Sequence, residues 1–156
     1  MYACRVAHLG VRHVARVVVL DPRGATLLVR YEESRGSYWV PPGGALEPGE
    51  DHAAAARREL LEETGLSAVL GPSLWNQSVR VPIGGVVLDQ VERYFLARLP
   101  GAAPPVANTS DENIVEHRWW PLPELRATTE VIYPVGLAER LALVLSSVPT
   151  GLPIDT

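Results

Sequence analysis

GALEPGEDHAAAARRELLEETGL, running from Gly44 to Leu66, joins a rigid approach to a helix whose acidic side chains are in register. From about Asp51 to Thr64 it is built of Ala, Leu, Glu and Arg, strong helix formers apart from His52, and Gly65 follows as a stop. The composition predicts a helix over 51–64. Glu59, Glu62 and Glu63 then stand at i, i+3 and i+4, so three carboxylates leave one face within reach of a common ion. Anions so placed repel one another unless a cation joins them. Hard divalent ions accept oxygen ligands, and Mg²⁺ binds one or two carboxylates while keeping waters and substrate phosphate oxygens. Arg58, four residues before Glu62, sets a guanidinium beside the cluster, where it can hold a carboxylate in one rotamer. Just upstream, Pro41-Pro42-Gly43-Gly44 cannot be helical, because the prolines lock φ and the glycines invite positive φ. That stretch reads as a loop of fixed shape. The small Ala53 to Ala56 run lets the helix sit close to it, so loop carbonyls reach the same ion.

Taken alone, a Glu-rich helix is ordinarily a solvated face, and a Pro-Gly-Gly turn is common. Together they specify nine positions, and a chance match at this spacing is on the order of one in 10⁷ or rarer. Gly44 to Leu66 resembles a complete Nudix box without departures, and Trp39 to Gly44 is similar to the segment that precedes it in that family. The resemblance implies an α/β/α sandwich with a mixed β-sheet. It also implies Mg²⁺-dependent hydrolysis of a diphosphate bond, with Mn²⁺ as a possible substitute. The substrate it implies is a nucleoside diphosphate linked to a variable group, such as ADP-ribose, or a nucleoside triphosphate, oxidised nucleotides included; dinucleoside polyphosphates fit as well. Pro82, 16 residues beyond Leu66, is a loose family hint of the ADP-ribose type. Carried over residue by residue, Glu59 and Glu63 are the principal metal ligands and Glu62 a further ligand or base. Glu50, Arg58 and Gly44 are supporting residues, and the Gly43 carbonyl is a backbone ligand. The family also supplies a glutamate from a loop before the last strand, for which Glu112 is best placed, with Asp111 and Glu116 nearby. The alternatives are a Nudix-fold nucleotide-binding module without catalysis, or an isomerase or base-excision enzyme on the same scaffold. Both are expected to lose box carboxylates, and here Glu50, Glu59, Glu62 and Glu63 all remain.

Outside the box the signals are weaker. Trp39, Tyr38, Tyr31 and Trp75 are candidates for stacking on a nucleobase, against the plain alternative of packing. Arg30, Arg80 and Arg93 are candidates for a distal phosphate or carboxylate, against that of solvated strand-face arginines. Trp119 and Trp120 read as packing, and His52 as an exposed residue near the start of the helix.

Composition bounds the rest. A chain of 156 residues has the length of one domain, so 1–156 is expected to fold as a unit. Its 14 basic residues are all Arg, and the net charge of −4 without a basic run argues against stable binding along a nucleic acid backbone. A small anionic nucleotide must therefore be met locally. Cys4 is the only cysteine, which leaves no disulfide framework or Cys-based zinc site, and a reducing compartment fits. Arg5, Arg12 and Arg16 interrupt the first apolar stretches, so neither a signal-peptide core nor a membrane span is expected. Cytoplasm is the expected location, and a homodimer is compatible with the family.

His13 to Asp21 and Ala25 to Tyr31 read as a β-hairpin turned by Pro22 and Gly24. Trp75 to Val81 and Val86 to Leu99 read as strands, and Gly101 to Thr109 as a connection. Val115 to Trp120 reads as a last strand, Pro121 to Leu125 as a turn into a short helical piece, and Val135 to Ser146 as an amphipathic helix.

Overall fold

A computed structural model describes residues 10–101 and 113–147. Cys4, Asp111, Glu112 and most of the Gly101 to Thr109 connection lie outside them. Seven strands form one mixed sheet: β1 (Val11–Leu20), β2 (Thr26–Glu33), β3 (Gly36–Val40), β4 (Gly43–Ala45), β5 (Leu70–Ile83), β6 (Val86–Arg98) and β7 (Ile114–Trp120). Among the described residues three helices accompany them: α1 (His52–Thr64), α2 (Leu122–Ala127) and α3 (Leu137–Ser147). The main path of the sheet runs β3-β2-β1-β6-β5, with β4 paired to β1 and β7 to β2.

Alternation along β1 makes the sandwich, because successive side chains leave opposite faces of a strand. Ala15, Val17 and Val19 join Leu27 and Phe95 beneath Ala55, Ala56 and Leu60 of α1. Val18 and Leu20 join Leu28, Tyr94 and Trp120 beneath Leu125 of α2 and Leu137 and Leu141 of α3. The expected α/β/α arrangement with a mixed sheet is therefore present. Both Ala55 and Ala56 are completely buried, packed in the core cluster between α1 and the sheet.

The expected hairpin forms, but β1 and β2 pair at one position only, Leu20 with Thr26. Beyond it the free edge of β1 is taken by β4, with Ala45, Gly44 and Gly43 opposite Val14, Ala15 and Arg16. The Pro-Gly-Gly segment is thus half loop and half strand, a correction to the loop expected from its composition. Glycine is required there by space. A Cβ on Gly43 would lie 2.2 Å from the Ala15 carbonyl oxygen, so no larger residue lets the two backbones approach this closely. The other edge of β1 runs parallel to β6 from Val11–Asp89 to Leu20–Arg98.

Strands β5 and β6 are joined at Gly84-Gly85, both at positive φ, the conformation that a two-residue hairpin turn demands. Strand β5 starts at Leu70, five residues before the expected Trp75, and its register shifts between Leu70 and Trp75 around Gly71 and Pro72. A glycine and a proline hid that segment from a reading based on alternation. Strand β3 was unforeseen for the same reason, since Gly36, Ser37 and Tyr38 give no apolar alternation.

Candidate active site

Helix α1 begins where Asp51 accepts the Ala54 N–H at 2.8 Å, and it ends at Gly65, whose φ of 75° and N–H to the Leu61 carbonyl form a left-handed cap. Those caps set where the helix starts and stops, and the packing of Ala55, Ala56 and Leu60 on the sheet sets the rotation that aims the acids. Glu63 lies on the buried side, 2% exposed, facing the bend. Its Oε1 accepts the Gly43 N–H at 2.9 Å and its Oε2 accepts the Tyr31 hydroxyl at 2.7 Å. The Glu63 carbonyl accepts from His117 Nε2 at 2.7 Å, which ties the end of the helix to β7.

Glu59 faces the same bend. A Cβ built on Gly44 would lie 2.6 Å from the Glu59 carboxyl carbon, so the glycine leaves the space that this carboxylate occupies. Arg58 gathers the others. It donates from Nε and Nη2 to both oxygens of Glu50 (2.7 and 2.9 Å), from Nη1 to Glu59 (2.8 Å) and Glu62 (2.9 Å), and from Nη2 to the Ala45 carbonyl (3.1 Å). The guanidinium fork suits such a task because its donors lie in one plane and hold their charge at any physiological pH. Four glutamates, one arginine and the Gly43-to-Ala45 backbone thus form one connected group at the C-terminal half of α1.

Electrostatics separates the acids. Hydrogen bonds from Arg58, then the Glu47 N–H, hold the Glu50 carboxyl down to about 2, so it stays ionised as an anchor for the arginine. The same bonds, Glu50's foremost, push the Arg58 guanidinium above its ordinary range. Burial pushes Glu63 up to about 7, against the pull of Tyr31 and Gly43, and burial raises Glu59 as well.

These residues fit a hard divalent ion. The donors are all oxygens, Gly44 clears a cradle for Glu59, and Glu63 is a buried carboxylate that accepts from Tyr31 and Gly43 and has no ion pair among the described residues. Among the described residues no three acidic, histidine or cysteine side chains converge on one point; Glu59 and Glu62 are turned to Arg58, and Glu63 to Gly43 and Tyr31.

The residues expected outside the box are dispersed. The structure corrects the stacking expectation for Trp39. Its ring is 2% exposed, meets Trp120 edge-on at 5.3 Å and donates through Nε1 to Glu130, leaving no face for a base. Arg30 is likewise corrected. Its neighbour Tyr31 points to Glu63, so Arg30 leaves the other face of β2, held by Glu116 and Ser37 above the Trp39 ring. Arg93 bonds Asn76 on the β5–β6 hairpin, and Trp75 stacks on Tyr94. Arg80, its side chain 81% exposed and paired to Asp89, and Tyr38 line one cleft. His52 is half-buried against His13, their rings 5.7 Å apart.

That cleft, of about 530 Å³, lies beside the bend between β2–β3 and the β1, β5 and β6 strands. Arg12, Arg16, Tyr38, Glu92 and Tyr133 line it, and Tyr38 stacks on Tyr31 at 5.5 Å while meeting Tyr133 edge-on. Arg12, Arg16 and Glu92 carried no signal as site residues in the sequence. Their neighbours come from strands about 76–78 residues apart, and no local pattern records such a pairing.

The NUDIX domain family model matches residues 11–138. The chain belongs to the Nudix family. An RNA pyrophosphohydrolase of Roseobacter denitrificans is 30% identical over 146 residues, 77% of this chain and 82% of that one. An RNA pyrophosphohydrolase of Rickettsia canadensis is 32% identical over 111 residues, 60% of this chain and 64% of the other. With the family, these relatives set the chain among Nudix pyrophosphohydrolases, enzymes of phosphorus anhydrides. In fold it is similar to the C. elegans Ap4A hydrolase in a binary complex (TM-score 0.68, 20% identity, 88% of this chain and 99% of that one). It is also similar to the NUDIX domain of Shewanella oneidensis NrtR complexed with ADP ribose (TM-score 0.67, 16% identity, 85% and 87%). Nudix hydrolases generally use divalent metals. No helix among the described residues is long and apolar enough to cross a membrane.

The raised Glu63 carboxyl has a consequence for this Nudix box. In the folded chain it keeps its proton up to about pH 7, whereas its ordinary value is 4.5, so without metal this group weakens the fold as pH climbs from about 4.5 to 7 and does so fully above. A divalent ion held by Glu63 would require the deprotonated carboxylate and would offset that penalty. The thermal shift produced by millimolar Mg²⁺ should therefore be larger at pH 8 than at pH 6. An equal or larger shift at pH 6 would count against Glu63 as a ligand.

Proposed function

We propose that this chain, acting as one domain over 1–156, is a Mg²⁺-dependent hydrolase, Mn²⁺ substituting, of a diphosphate bond in a nucleoside diphosphate or triphosphate derivative. The observation that carries this is the meeting of Glu59 and Glu63 with the Gly43–Gly44 bend, while Arg58 holds Glu50, Glu59 and Glu62 in one array. Glu59, Glu63 and Glu62, with the Gly43 carbonyl, would hold the ion. When bound, such ions act as Lewis acids on phosphoryl oxygens and lower the pKa of a coordinated water towards neutrality. The chain's own groups do the positioning. Tyr31 and the Gly43 N–H fix the Glu63 carboxylate, Arg58 fixes the rotamers of Glu59 and Glu62, and Glu50 fixes Arg58. Glu62, or Glu112, which lies outside the described residues, takes the proton of the attacking water. Attack on phosphorus then expels a phosphate-bearing leaving group, and fixed positive charge near the developing anion is where such reactions gain most. The reaction needs no membrane, and the cytoplasm remains the proposed site of action.

For the substrate, ADP-ribose and nucleoside triphosphates remain candidates. The relatives' name supports a third, a polyphosphate at the end of an RNA, which is compatible with the acidic net charge because only the terminus need be held. The intact carboxylates speak against a silent binding module. A product-resolved screen of ADP-ribose, nucleoside triphosphates, dinucleoside polyphosphates and 5′-triphosphorylated RNA, with Mg²⁺ and with Mn²⁺, tests the proposal. Metal-dependent scission of one class is the expected result, and no phosphate-bearing product from any of them would sink it.

A further inference from the structure

Pro41 and Pro42 have no N–H to donate, so the bend carrying Gly43 and Gly44 is tied down there through its carbonyls. Strand β1 supplies both donors. The Val17 N–H reaches the Pro42 carbonyl at 2.9 Å, and Arg16 Nη1 reaches the Pro41 carbonyl at 3.1 Å. Arg16 also stands directly opposite Gly43 in the β1–β4 pairing. On its other side Arg16 donates through Nε to Glu92 Oε2 at 3.2 Å. Glu92 is 5% exposed and accepts three further bonds, from Gln77 Nε2 (3.2 Å), Gln90 Nε2 (2.6 Å) and the Tyr94 hydroxyl (2.8 Å). A carboxylate held by four donors is a rigid post, and it fixes the guanidinium that reaches the bend. Buried ion pairs are poor sources of net stability, which makes a positioning role the better account of this one.

We propose that Arg16, anchored by Glu92, is a positioning residue that sets the shape of the Pro41-to-Gly44 bend and thereby the affinity of the box for divalent ions. This rests on the divalent-ion reading above. The fork matters, because Arg16 reaches a carboxylate and a carbonyl through two nitrogens held apart in one rigid plane, whereas the donors of a lysine all sit on one nitrogen at the end of a flexible stem.

Calorimetric titration of Mn²⁺ into the full chain, without nucleotide, tests this apart from turnover. A folded Arg16→Lys variant should bind Mn²⁺ about 10–100-fold more weakly, the range typical of groups that orient metal ligands. Glu63→Gln serves as the control that removes a ligand. A folded Arg16→Lys chain with a Kd within about twofold of the parent's overturns the inference. Should that variant not fold, Glu92→Gln is read in its place, with weaker Mn²⁺ binding expected and unchanged binding again overturning it. Failure of both to fold would assign the pair to the core and overturn the positioning role. No Mn²⁺ binding by the parent would sink the divalent-ion reading itself, whereas parental binding with an unmoved Kd in the variants sinks only this inference.

Discussion

A Glu63→Gln chain should fold, melt no lower than the parent at pH 8 without divalent ions, and turn over at least ~10²–10³ times more slowly. The activity loss follows from removing the charge that best faces the bend, on the scale seen when one preorganised electrostatic group is lost at a reacting centre. Unchanged stability follows from geometry. The amide oxygen still accepts the Gly43 N–H, and the Tyr31 hydroxyl, which both donates and accepts, can turn to receive the amide N–H. Because burial raises the Glu63 carboxyl to about 7, the neutral amide spares the fold a charge it does not favour at pH 8. The advantage should fade as pH falls towards 4.5, where the parent carries its own proton. Thermal melts of both chains at pH 5 and pH 8, with a rate measurement in Mg²⁺, check all three statements. A folded variant of undiminished rate would remove Glu63 from the mechanism.

The second large effect divides two adjacent glycines. At Gly43 the added methyl of an alanine would meet backbone, the Ala15 carbonyl oxygen at 2.2 Å and Arg16 Cα at 2.7 Å, so β4 must leave β1 or both must bend. Gly43→Ala should cost about 3 kcal/mol, the upper end of overpacking in a close-packed interior. For a chain of this size that lowers Tm by roughly 6–12 °C. At Gly44 the methyl meets the carboxyl end of Glu59, a flexible tip that can swing away. Gly44→Ala should therefore fold with a much smaller loss of stability while its activity falls, because Glu59 is displaced from the bend. Melting curves and rates on the two variants form the test. A stable Gly43→Ala chain, or a fully active Gly44→Ala chain, would contradict the close approach on which the site is built.

The helix and its acids were legible in the sequence because everything that makes them is local. Helix propensity, the Asp51 and Gly65 caps and the i, i+3, i+4 spacing of Glu59, Glu62 and Glu63 lie within fifteen residues, Asp51 to Gly65. The Arg58 partnership with Glu62 was readable for that reason, and its grip on Glu50 eight residues away was not. Arg30 and Trp39 show the limit. Both are the right kind of residue near the right segment, yet the alternation of β2 and β3 turns them to the α3 side of the sheet.

By itself, then, the sequence determined the box helix, the position of its carboxylates, the rigidity of the Pro-Gly-Gly approach and the alternation of β1 that demands cover on both faces. Tertiary structure decided that β6 runs parallel beside β1, that Gly43 to Ala45 closes on the edge of β1, and that Arg16 and Glu92 meet behind the bend. The physical reason is range. Capping and helical spacing are satisfied within a few turns of chain, whereas a strand pairing or a buried ion pair between residues 76 apart exists only once the sheet has formed and leaves no periodic trace in the order of the residues.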